Sequence, residues 1–279
     1  MRLRLLGSAA GKTVPRSFCR CRVCALAKER GGANRRTRTG LQIFLDGEGG
    51  NEAFCHVDLP PDTGHHMVRD GFCLAHLAHL LLTHGDEDHF DPIYLRNRKI
   101  ILSDRAELIP LTIHGSRTLG ERIAGLGLDF GYLKLSFNEL RPFQNTQVGE
   151  LQVLPLAATH TPDTLNYVIH HRGRTVLLAW DTGYWPEKTW HALAGQQLDA
   201  VFLECTTIGP QEAATRAHLD FATFLRMRQR LLELDSIEPA TPFIAVHIGD
   251  NGGLTHEEAV AFAAPYGVTV GYDGLELHL

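Results

Sequence analysis

The chain has no run of about 18 uninterrupted apolar residues, which excludes a hydrophobic membrane-spanning helix. It has no basic excess either. Its 27 Lys plus Arg stand against 32 Asp plus Glu, giving a net charge of −5 at pH 7. That acidic balance, with no long basic arm, argues against a nucleic-acid partner. The opening segment Met1-Arg-Leu-Arg-Leu-Leu-Gly7 is too short in its apolar part for a secretory signal and reads as a first strand. Repeats, low-complexity tracts and linker-like composition shifts are missing as well. These absences predict a cytoplasmic protein with a single domain over residues 1–279, and its 44% hydrophobic content suffices for a sizeable core.

Cysteine is scarce but unevenly placed. Of the six, Cys55, Cys73 and Cys205 are dispersed and are expected to pack in the core. Cys19-x-Cys21-x-x-Cys24 is too dense for disulfides among its own members and has the spacing of zinc ligands. A zinc-binding loop around residues 16–30 is therefore expected, one ligand short of a closed tetrahedral site.

Histidine is abundant, with 16 residues, and several close an apolar run. Leu80-Leu-Leu-Thr-His84, Leu156-Ala-Ala-Thr-His160 and Ile244-Ala-Val-His247 all do so. A side chain at the mouth of a buried strand points to a shared sheet edge, where sites assemble. Strands are predicted at 3–6, 41–45, 55–58, 77–83, 111–114, 151–156, 167–171, 175–180, 200–203, 243–247, 268–272 and 275–278. Helices are predicted at 21–30, 117–124, 185–194, 221–233 and 255–264, the last opened by the capping box Thr255-His-Glu-Glu258. Gly47-Glu-Gly-Gly-Asn51 reads as a loop or hairpin tip, and Arg172-Gly173 as a hairpin turn. Two strand-rich halves, each with helices, imply two sheets packed face to face with helices outside, an α+β architecture.

His84-x-Asp86-x-Asp88-His89 puts four potential ligands within six residues after a strand, although a polar turn capping a helix at Asp91-Pro92 would account for it equally well in isolation. Thr159-His160, Ala179-Trp-Asp181 and Val246-His247 each add one ligand-type residue at the end of a further apolar run. Two metal ions about 3.5–4 Å apart need such convergence, because one loop must serve both.

The order His84, Asp88-His89, His160, Asp181, His247 resembles that of the metallo-β-lactamase superfamily. Within it, the chain is similar to the phosphodiesterases of the PhnP type and to the PqqB type of pyrroloquinoline-quinone biosynthesis. The shared features are Leu6-Gly-Ser-Ala-Ala-Gly11, the cysteine cluster, Asp181-Thr, His247-Ile and Gly271-Tyr-Asp-Gly-Leu-Glu276, so they run nearly end to end. The resemblance implies a four-layer αββα sandwich with the site at one edge between the sheets. It implies that His84, Asp86 and His160 hold one metal, that Asp88, His89 and His247 hold a second, and that Asp181 bridges them. Asp88 and His218 are the catalytic candidates. His218 would face the substrate phosphate as general acid or positive clamp, its alternative being a cap for the helix at Phe221. Two divalent charges would lower the pKa of a bridging water so that hydroxide attacks phosphorus at neutral pH.

The sequence departs from the family pattern twice. Asp86 stands where the usual motif has histidine, which favours a harder ion such as manganese or iron over zinc. Asp250 stands at the position of the fourth ligand to a structural zinc, beside Cys19, Cys21 and Cys24. His65, His66, His76 and His79 are expected to be ordinary surface or packing residues, and His170 and His171 at the hairpin to be solvated. Asn34-Arg-Arg-Thr-Arg38 is expected to be a plain exposed loop, its alternative being a basic run that attracts a phosphate substrate or another subunit. The functional expectation is a metal-dependent hydrolase of a small, possibly cyclic, phosphodiester. Its rivals are hydrolysis of another ester, lactone or amide, and a PqqB-like biosynthetic or binding role. Dimerisation is implied by the resemblance alone.

Overall fold

A computed structural model describes residues 1–45, 52–99 and 108–279. The expected tip at 47–51 lies outside the described residues.

Two seven-stranded sheets carry the fold. The first runs in the order β14 (Glu276–His278), β1 (Arg2–Gly7), β2 (Gly40–Phe44), β3 (Cys55–Val57), β4 (His79–Leu81), β5 (Leu111–Gly115) and β6 (Leu135–Glu139). The second runs β13 (Thr269–Val270), β12 (Phe243–Val246), β11 (Ala200–Glu204), β10 (Arg174–Ala179), β9 (Leu165–His171), β8 (Leu151–Ala157) and β7 (Thr146–Val148).

Side-chain alternation sorts the apolar residues into three cores. Leu81 on β4 and Ile169, Val176, Leu178 and Phe202 on the second sheet meet between the sheets, with Leu3, Leu41 and Val57. Their neighbours Leu80 and Leu82 face outward against Leu119 and Ile123 of α4 (Arg117–Ala124) and Leu133 of α5 (Phe130–Leu133). Val168, Leu177 and Leu203 face the other way. There they meet Trp190 and Leu193 of α6 (Glu187–Leu193), Phe224 and Met227 of α7 (Phe221–Glu233), and Ala259 and Ala263 of α8 (His256–Ala263). The αββα sandwich is the expected one.

Thr255 and Glu258 form the capping box at α8, and α1 (Arg22–Arg30) starts with the Cys21 side chain accepting from the Cys24 amide. Arg172 and Gly173 close the β9–β10 hairpin, both in the left-handed region (φ 46° and 79°). Strand 77–83 contracts to β4, and 268–272 to β13. Strands β6 and β7 and helices α2 (Thr63–Asp70) and α3 (Ile93–Asn97), like α5, were not expected.

Several side-chain expectations need correction. Cys55 and Cys205 are buried, but Cys73 is exposed. His171 is buried instead of solvated, whereas His170 is exposed as expected, and His66 is a packing residue with its Nε2 on Thr37 Oγ1 at 2.7 Å. The basic run is no free loop. Arg36 is buried and donates from Nη1 to Ser8 Oγ at 2.8 Å and to the Gly271 carbonyl at 2.5 Å, while Arg38 pairs with Asp62 at 3.0 Å. Arg36 thereby ties the segment after β1 to the C-terminal segment, and Arg38 ties Gly11 to Asp62. Among the described residues, no helix is long and apolar enough to cross a membrane.

Candidate metal centre

Seven expected ligands converge at the strand ends along one edge between the sheets. His84, Asp86, Asp88 and His89 follow β4, with residues 86–90 wound into one helical turn by amides 89 and 90 donating to the Asp86 carbonyl. His160 follows β8, Asp181 follows β10 and His247 follows β12. Asp181 (φ 55°) and His247 (φ 54°) are left-handed, a conformation that costs a non-glycine residue of order 1 kcal/mol or more and turns the chain sharply off the strand. Gly183 permits the next approach. A Cβ there would sit 1.9 Å from the Arg216 carbonyl oxygen, on the segment that leads to His218.

The donor atoms form two groups, each with all its ligand atoms within 4.8 Å of one another. His84, Asp86 and His160 make one, with Asp86 Oδ2 3.4 Å from His84 Nε2 and 3.5 Å from His160 Nε2. Asp88, His89, Asp181 and His247 make the other. Asp181 touches His89 through Oδ2 and His247 through Oδ1 (3.2 Å), and lies 3.9 Å from His84 and 4.0 Å from His160. It therefore stands between the two groups.

Every imidazole is fixed by a partner on its other nitrogen. His84 Nδ1 donates to Thr83 Oγ1 at 3.0 Å, His89 Nδ1 to Asp58 Oδ2 at 2.7 Å, and His247 Nδ1 to Thr206 Oγ1 at 3.1 Å. His160 Nδ1 faces the Ala217 carbonyl at 3.4 Å. Thr83 passes its own proton to Asp58, and Thr206 passes its proton to Glu204, so each hydroxyl is left to accept from the ring. The Nε2 lone pairs are thereby turned to the centre. The Nε2 atoms of His84, His89 and His247, with Asp181 Oδ2, are buried and lack hydrogen-bond partners. Orphaned acceptors pooled in this way fit divalent cations.

Charge in the centre agrees. Burial pushes the Asp181 carboxyl up, yet His247 and His89 hold it well below the carboxylate range. The His84 imidazole beside it lowers Asp86. Burial opposes ionisation of Asp88, but His89 beside it overcomes this. Burial pushes the His89 imidazole down and Asp181 with Asp58 raise it far above its ordinary value, so the pocket is set to hold positive charge.

His218 does not cap α7. Asp220 does, accepting from the Thr223 amide at 2.8 Å. His218 stacks on His247 with ring centroids 5.6 Å apart, and its Nδ1 donates to Glu204 Oε1 at 3.0 Å. Burial lowers its pKa and Glu204 raises it, with a net rise. A cleft of about 320 Å³ opens over Asp86, Asp88, His160 and His218, and Gly11, Lys12, Arg16 and Asn251 also line it. Gly11 allows a close approach, since a Cβ there would lie 3.0 Å from Asp88 Oδ2.

The cysteine cluster closes on Asp250. Asp250 Oδ2 lies 3.9, 3.6 and 3.4 Å from the sulfurs of Cys19, Cys21 and Cys24. A tetrahedral zinc with sulfur at ~2.3 Å and oxygen at ~2.0 Å separates such ligands by roughly 3.5 Å, so the donor set fits. Backbone amides of Cys21, Cys24 and Arg16 point at the three sulfurs at 3.4, 3.5 and 3.3 Å.

Asp58, Trp180, Glu204 and Thr206 escaped the sequence reading. Asp58 accepts from His89, Thr83 and, across the sheets, Trp180 Nε1 at 2.7 Å, while Glu204 accepts from His218, Thr206 and the Thr182 and Leu219 amides. For the two acids the signal was present: Asp58 and Glu204 each close a strand-like segment, Cys55-His-Val-Asp58 and Val201-Phe-Leu-Glu204.

The sequence profile of the beta-lactamase superfamily domain matches residues 63–248, two thirds of the chain. The chain belongs to this superfamily. The coenzyme PQQ synthesis protein B of Methylobacterium nodulans is 26% identical over 309 aligned positions that span 100% of both chains. The solved structure of zinc-bound PqqB from Methylobacterium extorquens superposes with a TM-score of 0.77 at 20% identity, covering 100% of each chain. A diphosphatase of the PhnP family superposes with a TM-score of 0.76 at 20% identity, over 100% of this chain and 97% of its own. At these identities the superpositions establish the metallo-β-lactamase fold, whose members typically bind divalent metals.

Proposed function

We propose that the protein is a metal-dependent hydrolase of a small phosphodiester. The observation that carries this reading is the set of buried, unpartnered Nε2 atoms aimed at one point beside His218. His84, Asp86 and His160 would hold one divalent ion, and Asp88, His89 and His247 a second, with Asp181 shared. Such ions, when bound, activate water and offset charge developing on phosphoryl oxygens. The chain supplies the rest. Asp58, Thr83 and Thr206 hold the ligand rings in one tautomer. Asp88, at the cleft wall, can orient the attacking water. His218 has its Nδ1–H committed to Glu204 and can deliver a proton from Nε2 to the leaving alkoxide or, while protonated, grip a phosphoryl oxygen. Cys19, Cys21, Cys24 and Asp250 would hold a structural zinc that fixes the N-terminal loop against the cleft. Asp86 favours manganese or iron at the first position.

The test is turnover of bis(p-nitrophenyl) phosphate by protein stripped and reloaded with manganese, iron or zinc. Hydrolysis that His89→Ala lowers by 100-fold or more supports the reading; no turnover with any ion overturns it. The full-length match to PqqB favours a second reading, a part in coenzyme PQQ synthesis. Restoration of coenzyme production in a PqqB-deficient strain by a protein that is inert toward phosphodiesters would select it.

A further inference from the structure

The cysteine cluster carries an excess of charge that its own four donors do not relieve. Thiols bind a metal as thiolates, so Cys19, Cys21, Cys24 and Asp250 would bring four negative charges to a divalent ion and leave two uncompensated. Cys24 is fully buried and the Asp250 carboxylate nearly so, which makes such an excess unfavourable. Three backbone N–H···S bonds relieve the sulfurs but bring no charge. Arg22, the residue after Cys21, is engaged elsewhere: its guanidinium grips Glu258 and the Gly253 carbonyl. Arg16 is placed otherwise. Its Nη2 faces Asp250 Oδ1, whereas the three sulfurs face Oδ2. Asp250 Oδ1 is buried and has no hydrogen-bond partner, so it meets the guanidinium as a charge. The same Nη2 donates to Asn251 Oδ1 at 2.8 Å, and the Arg16 amide donates to Cys24 Sγ at 3.3 Å. Side chain and backbone of one residue thus bracket the cluster.

We propose that Arg16 is a positioning residue of the cysteine cluster. By holding Oδ1 it restricts Asp250 to a single ligand oxygen, Oδ2, and its guanidinium offsets part of the negative charge left in excess. This rests on reading the four donors as a metal site. A free carboxylate can offer a divalent ion both oxygens. With one of them held, the set closes at four donors, as a tetrahedral structural site requires. Arg16 also lines the cleft over the other centre, so the cluster and the cleft wall share one side chain.

Cobalt titration of the stripped full-length protein tests the inference without requiring turnover. Sulfur-to-cobalt charge-transfer absorption reports the cysteine cluster, because the seven ligands of the other centre contain no sulfur. Arg16→Gln keeps a donor for Asn251 Oδ1 but no charge. It should weaken cobalt binding at the cluster by roughly 10- to 100-fold, and Arg16→Lys should recover most of the loss. In an Asp250→His background a neutral imidazole removes both the extra charge and the second oxygen. There Arg16→Gln should weaken binding by less than about 3-fold. Unchanged affinity in Arg16→Gln overturns the inference, and so does an equal loss in both backgrounds, which marks a purely structural role. If Arg16→Gln does not fold, folding and cobalt binding of the protein carrying both Asp250→His and Arg16→Gln support the inference, and their absence overturns it. Native protein that gives no charge-transfer band overturns the metal-site reading itself, a result distinct from a band that Arg16→Gln leaves unmoved.

Discussion

At the scale of single residues, the centre is governed by groups that touch no ligand of the reaction. Asp58 is buried with φ 63°, and four donors converge on its carboxylate: the Thr83 amide and hydroxyl, His89 Nδ1 and Trp180 Nε1. Asp58→Ala leaves the His89 ring free to rotate and abandons the Trp180 indole in the core. Loss of such a partner typically weakens metal binding 10- to 100-fold, which a chelator-competition titration of the loaded protein should show. Asp86 allows the opposite experiment. It is the more exposed member of its group, and Asp86→His replaces a hard oxygen by a borderline nitrogen. The variant should shift preference toward zinc over manganese, read as the ratio of the two ions retained after dialysis against an equimolar mixture. An unchanged ratio would mean that Asp86 ligates nothing.

At the scale of elements, what was legible in the sequence was what burial had written there. Strands with both faces covered, such as Ala200–Glu204, are continuous apolar runs and were found. The missed strands β6 and β7 are the far edges of the two sheets, where only Leu135 and Val148 are buried and no alternation survives. Helix α2 buries Thr63 and His66 rather than a hydrophobic stripe, so nothing periodic announced it. The ligands were legible because strand ends are, but their supporting acids belonged to strands whose polar last residue looked like an ordinary boundary. The same polar burial sets a pH response. Burial pushes His56 on β3 and His66 on α2 down to about 3, and His114 on β5 down to about 4. The folded state keeps them neutral while the unfolded chain takes up protons below pH ~6.5. Stability is therefore full above that pH and falls as pH drops from 6.5 toward 4, with up to about 1.4 kcal/mol per unit from each ring. Urea midpoints at pH 7.5 and 5.0 should show the decline. His56→Gln, which keeps a partner for Gln42, should remove one ring's share and make the decline shallower.

At the scale of the molecule, the candidate ligands come from both halves of the sandwich. Four follow β4 in the first sheet, and His160, Asp181 and His247 follow β8, β10 and β12 in the second. Polar contacts already span the two sheets near this edge, among them Trp180 Nε1 to Asp58, the Tyr167 hydroxyl to the Leu82 carbonyl at 2.6 Å, the Leu165 amide to the Thr83 carbonyl at 2.9 Å, and the contacts of Asp181 with His84 and His89. Cations bound at the centre would add bonds between layers that apolar packing and these polar contacts already join. The strained turns at Asp181 and His247 would be held by the same bonds. Binding to the folded state alone stabilises it by about 2.7 kcal/mol at a free ion concentration 100 times the dissociation constant. The melting temperature of stripped protein should therefore climb with the logarithm of added manganese or zinc. His247→Ala, which empties a position on the second sheet only, should abolish that climb as completely as His89→Ala does on the first. If each variant removed merely half of the response, the two groups would bind independently, and Asp181 would not couple them.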